Sequence, residues 1–224
     1  MVETADAKDT KERILDTAER IFAEQGINAC SIRSITSEAG VNLASVHYHF
    51  GSKEALIRAV WERRVAPINE ERLKMLDAVE AAAGGGPPSL EGIFEAVIRP
   101  YLRVCLDREK GEVVRRLFGR VFEEPSLRPV IQEVYREMSR RLTLATRRAL
   151  PDLPPEELGW RIHFAIGAID SIGDPERLKL ISGFLSCDPS GSEEEITQRM
   201  LSFVVAGLRD PVPAERAAGG SLSP

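Results

Sequence analysis

The 224 residues carry a formal net charge of −5, with 43% hydrophobic, 29% charged and 6% aromatic residues. That balance fits a globular, helix-rich chain able to bury a sizeable core, and it excludes a basic coat that binds nucleic acid without selectivity. The three cysteines, Cys30, Cys105 and Cys187, are scattered without CxxC spacing, which excludes a disulfide framework. No apolar run approaches the length of a membrane helix and no basic leader precedes an apolar stretch, so a soluble cytoplasmic protein is expected.

Residues 1–9 are polar and expected to be loose. The first helix is predicted to begin near Thr10, where Ile14, Leu15, Ala18, Ile21 and Phe22 repeat at helical spacing, and to close at Gly26. Ser31 then offers a side chain to the free N–H groups of a second helix, with Ile32, Ile35 and Ala39 on its apolar face and Gly40 as its stop. Asn42 caps a third helix over Leu43 to Phe50, which buries Val46 and Phe50 and turns Ala44, Ser45, His47, Tyr48 and His49 outward. Small, aromatic and imidazole side chains on an outward face suit contact with another surface. Two helices joined by a short glycine-containing turn make a helix-turn-helix, whose second helix fits the DNA major groove. Ser52 caps the next helix, with Lys53 in its first turn as a phosphate contact. Arg33, Lys53, Arg58, Arg63 and Arg64 give this region a positive balance against Glu38, Glu54 and Glu62.

Gly26, SIRSIT, AGV and HYHFGSKEAL, spread from about Thr10 to Val60, resemble the DNA-binding signature of the TetR family of transcriptional regulators. The resemblance implies an all-α chain: a three-helix head at 10–51, then a body at 52–210 that binds a small molecule and dimerises. It implies that Asn42, Leu43, Ala44, Ser45 and His47 face base edges, and that Ser31, Tyr48, His49 and Lys53 face phosphates. Ala44 replaces a frequent family glycine and His47 a frequent tyrosine, so the base preference is this chain's own. The NLASVHYHF variant is similar to a subgroup of fatty-acyl-responsive repressors.

Beyond the head, a helix runs from Ser52 through Leu56, Val60 and Trp61 to about Val65, with Pro67 expected to interrupt or kink it. GGGPPS at 84–89 reads as a loop, and Ser89 as the cap of a helix bent at Pro100, which frees a carbonyl near Ala96 or Ile98. Tyr101 in that helix joins the candidate effector residues. Arg116 and Arg120 lie on one face of a helix over 113–122, suited to an acidic effector group or to pairing with nearby glutamates. Tyr135 and Met138, in a long helix from Pro129, are placed to line a lipophilic cavity or to fill core.

The last two helices carry Ile162, Ala165, Ile166 and Ile169, and Met200, Phe203 and Val204, with Ser192 and Glu195 as a capping box. So much apolar surface predicts a two-fold four-helix interface between protomers. His163 falls on this pair, as a packed, interfacial or effector-contacting residue. A short helical piece is expected over 176–185, and a disordered tail from Pro211. Glu-x-x-His pairs, HExxH, GxSxG, phosphate-cradling glycine loops and Cys/His clusters are absent from the sequence, so no enzymatic activity, metal or cofactor is expected. The expectation is a homodimeric, ligand-responsive regulator of double-stranded operator DNA. The competing reading is a helical module whose 43–50 face meets a protein; a steep salt dependence separates the two.

Overall fold

The computed structural model describes residues 5–27, 29–107, 111–121, 127–172, 180, 182–184 and 191–212, and its regular elements there are all α-helices. They are α1 (Ala5–Gln25), α2 (Ile32–Ala39), α3 (Leu43–Phe50), α4 (Lys53–Ala82), α5 (Leu90–Cys105), α6 (Gly111–Val121), α7 (Arg128–Ala149), α8 (Pro155–Ile172) and α9 (Glu193–Arg209). The expected helical piece at 176–185 and the tail lie largely outside the described residues. α1 starts at Ala5, ahead of the Thr10 expected, because ADAKD continues the helix without a Gly or Pro to stop it.

The described residues separate into two compact units, Met1–Asn69 with Val104–Tyr135, and Glu70–Arg103 with Arg136–Pro224. In the first, α1 packs on α2, α3 and α6. Ile14, Ala18, Phe22, Ile35, Val46, Leu56 and Val60 are all but closed to solvent there, and Trp61 meets Phe118 edge-on at 4.9 Å. Removing that apolar surface from water is what holds the short helices α2 and α3, since eight residues are too few to be stable alone.

In the second unit Phe94, Ile98, Leu102, Leu142, Ile169 and Leu208 make the core. Pro100 lies inside α5, which remains helical through it. A proline has no N–H to return to the preceding turn, and the neighbouring carbonyl of Val97 accepts from Nε of buried Arg72 at 3.0 Å. The guanidinium also lies over the Tyr101 ring at 5.9 Å. Pro67 likewise lies inside α4, which runs from Lys53 to Ala82 without interruption. Arg161 of α8 closes the end of α9: Nη1 donates to the carbonyls of Leu208 at 3.0 Å and Asp210 at 2.5 Å, while Nε donates to Glu157 at 2.9 Å.

Candidate nucleic-acid interface

Each short helix of the first unit is bounded by its own side chains. Ser31 Oγ accepts from the Ser34 N–H at 3.0 Å, and Ser34 Oγ accepts in return from the Ser31 N–H at 3.1 Å. At the other end Gly40, with φ of 64°, sends the Val41 N–H back to the Thr36 carbonyl at 3.0 Å. Asn42 Oδ1 accepts from the Ser45 N–H at 2.8 Å and from its hydroxyl at 3.0 Å, starting α3 at Leu43. α4 begins the same way, the Ala55 N–H donating to Ser52 Oγ at 3.1 Å. The Glu54 carboxyl is held below its ordinary range by its own backbone N–H and then by Ser52.

α3 buries Val46 fully and leaves Leu43, Ala44, His47 and Tyr48 exposed, with Ser45, His49 and Phe50 half-covered. Tyr48 is 81% exposed and stands edge-on to His49 at 5.0 Å. Phe50, expected to be buried, keeps part of its ring in solvent because the helix ends there at Gly51. Lys53 Nζ donates to the Cys30 carbonyl at 2.6 Å, which brings its ammonium beside exposed Ser31 and the start of α2. Arg33 is exposed on α2. Cys30 and Cys105 are buried and form no disulfide.

The expected positive balance is reduced by pairing. Arg58 bonds Glu133 at 2.6 Å, Arg63 bonds Asp16 at 2.6 Å, and Arg64 bonds buried Glu19 at 2.6 Å, so acids from α1 and α7 offset three of the five cations counted from the sequence. Hydrogen bonding to Glu133 holds the Arg58 guanidinium above its ordinary value. The local sum counted neighbours in the chain, whereas the fold supplies its own neighbours.

The candidate effector residues differ in burial. Tyr101 and Met138 are buried in the second unit; Tyr135 is half-covered in the first. Arg116 is exposed and pairs with Glu112 one helical turn away at 2.7 Å, the alternative weighed for it. The Arg120 side chain lies outside the described residues. His163 is exposed on α8, edge-on to Trp160 at 6.1 Å and beside Phe164.

The residues expected at the dimer contact differ in exposure. Ala165, Ile169 and Val204 are buried within the protomer, Ala165 and Val204 at the floor of a groove; Ile162, Ile166 and Met200 are half-covered. Phe203 does point out, 69% exposed, together with Phe164 at 64% and Trp160 at 53%. An open groove of about 520 Å³ lies between these helices, with Phe164, Phe203, Ala206 and Gly207 in its lining. Trp160 and Phe164 keep a helical spacing of four, a sequence signal for a shared aromatic face beside the aliphatic positions.

Two short capped helices at a glycine turn, with the second one's polar and aromatic side chains left in solvent, define a helix-turn-helix protein. A family model of bacterial regulatory proteins of the tetR family matches residues 14–60, and one described as tetracyclin repressor-like, C-terminal domain, matches residues 95–207. The chain belongs to the TetR family of transcriptional regulators. It is 27% identical over 183 residues to the HTH-type transcriptional regulator UidR of Escherichia coli K12, covering 75% of this chain and 93% of that one. To AcrR of Shigella flexneri it is 26% identical over 133 residues, and the match spans only 59% of each chain. In fold it is similar to a TetR-family regulator from Streptomyces coelicolor (TM-score 0.53, 23% identity, 90% of this chain and 95% of that). It is also similar to the fatty acid degradation regulator FadR from Bacillus halodurans (TM-score 0.56, 15% identity, 88% and 99%). No helix among the described residues is long and apolar enough to cross a membrane.

Proposed function

We propose that this regulator is a ligand-responsive repressor that binds a palindromic operator as a homodimer in the cytoplasm and is released by a small lipophilic or acyl effector. What carries the reading is α3, capped at both ends and exposed along His47 and Tyr48. Asn42, Leu43, Ala44, Ser45 and His47 face base edges; Ser31, Arg33, Tyr48, His49 and Lys53 face phosphates. Two such helices in one dimer reach successive major grooves about 34–36 Å apart. Trp160, stacked on Phe164, and Phe203, which lines the same groove as Phe164, supply the exposed apolar surface for pairing.

The acyl class is supported by the NLASVHYHF variant of α3 and by the name of one neighbour in fold, the fatty acid degradation regulator. Effector and operator oppose each other through linkage: a ligand preferring the conformation that fits DNA poorly lowers operator affinity by the factor by which DNA lowers its own. The deciding experiment is a mobility-shift assay on the DNA upstream of the protein's own coding region, titrated with salt and repeated with long-chain acyl and aromatic compounds. A specific shift with a steep salt slope, abolished by acyl compounds alone, is the expected result. A folded dimer that shifts no DNA at low salt overturns the reading.

A further inference from the structure

His47 is fixed by more than its place on α3. Its Nδ1 lies 3.0 Å from the carbonyl oxygen of Gly51, and the Gly51 N–H donates to the His47 carbonyl, also at 3.0 Å. The reciprocal pair closes on a glycine whose φ of 79° falls in the left-handed region that side chains disfavour. A carbonyl oxygen can only accept, so Nδ1 must carry the proton. In a neutral imidazole the other nitrogen is then bare and can only accept. The ring as a whole is exposed.

We propose, resting on the reading of α3 as the DNA-reading helix, that His47 is a specificity-determining residue. Its Nε2 accepts a hydrogen bond from an exocyclic amino group in the major groove, N4 of cytosine or N6 of adenine. Those are the amino donors that bases present on that edge; guanine offers N7 and O6 there, and thymine O4, all acceptors that Nε2 would repel. A hydroxyl at the same place would rotate to donate or accept and so discriminate poorly. An imidazole held by a backbone carbonyl has no such freedom.

The test uses the full chain. Wild type and His47→Ala each enrich binding sites from a randomised duplex library. In the site preferred by wild type, 2-pyrimidinone then replaces the selected cytosine, or purine the selected adenine, removing the amino group alone. Wild type is expected to lose about two- to tenfold in affinity per half-site, the net worth of one hydrogen bond. His47→Ala is expected to bind both duplexes equally and to lose base preference at that position only. Equal affinity of wild type for the two duplexes overturns the acceptor assignment. An unchanged preference in His47→Ala overturns the role of His47 while leaving α3 as the reader. Failure of both folded proteins to enrich any duplex overturns the reading of α3 itself, and this inference with it.

Discussion

Arg13 Nη2 stands 2.6 Å from the carbonyl oxygen of Ala39 and 3.3 Å from that of Gly40, so a guanidinium on α1 holds the end of α2 where the chain turns toward α3. The last carbonyls of a helix have no partner within it, and a cation there also complements the helix dipole. Arg13 touches none of the residues assigned to DNA, yet it sets the direction from which α3 departs.

Replacing Arg13 with alanine should therefore cost about 1–2 kcal/mol of stability, the worth of charge-assisted hydrogen bonds that water can partly replace. Operator affinity should fall as well, with an unchanged salt slope, because no phosphate contact is removed. Thermal melting beside a salt-titrated mobility shift checks both. A reduced slope would place Arg13 on the DNA instead.

Tyr48 and Lys53 are expected to part company under the same assay. Tyr48→Phe removes a hydroxyl from a side chain 81% in solvent, so the melting temperature should hold while operator affinity falls severalfold, a hydrogen bond being lost in each half-site. Lys53→Met removes a charge and also the 2.6 Å bond to the Cys30 carbonyl. It should lower the melting temperature and reduce the salt slope by about one per half-site. Equal melting temperatures for the two variants would mean that the Lys53 bond contributes nothing to the fold.

Much of the helix capping was legible because its signals are local. Ser31, Asn42, Ser52 and Ser192 each cap a helix through a partner three positions on, a distance visible in the sequence. The arginines were not, because Arg13, Arg72 and Arg161 find carbonyls 26, 25 and 47 positions away, and only the fold brings them there. Arg58, Arg63 and Arg64 misled the charge sum for the same reason. On α8 and α9 the apolar pattern runs more than half-way round each helix, so hydrophobicity alone could not divide Ala165 and Val204, facing inward, from Phe164 and Phe203, facing out.

That division yields its own prediction. Val204→Ala, at a position 3% exposed, should cost about 2 kcal/mol through lost burial and a small cavity, and lower the melting temperature without changing mass in solution. Phe203→Asp with Phe164→Asp should leave the protomer folded and convert dimers to monomers, since a carboxylate facing apolar surface across a two-fold axis is desolvated beside its own image. Light scattering coupled to size exclusion reads the mass. A dimer that survives the double substitution would remove this face from the interface.

Asp170 on α8 keeps contact with solvent yet is crowded by protein atoms, and the loss of hydration raises its carboxyl to about 6 from an ordinary 3.8, with Arg72 pulling the other way. Between those values the folded chain holds a proton that the unfolded chain has released, so stability declines as pH rises through that window and the penalty stands in full above it. Asp170→Asn cannot ionise and should relieve the penalty. Melting temperatures of variant and wild type should coincide near pH 4 and diverge above pH 6, the variant higher by about 2 °C or less, because water reaching the carboxyl screens part of the cost. A difference that does not change with pH would show that the substitution acts through packing, and that the carboxyl ionises as freely in the folded chain as in the unfolded one.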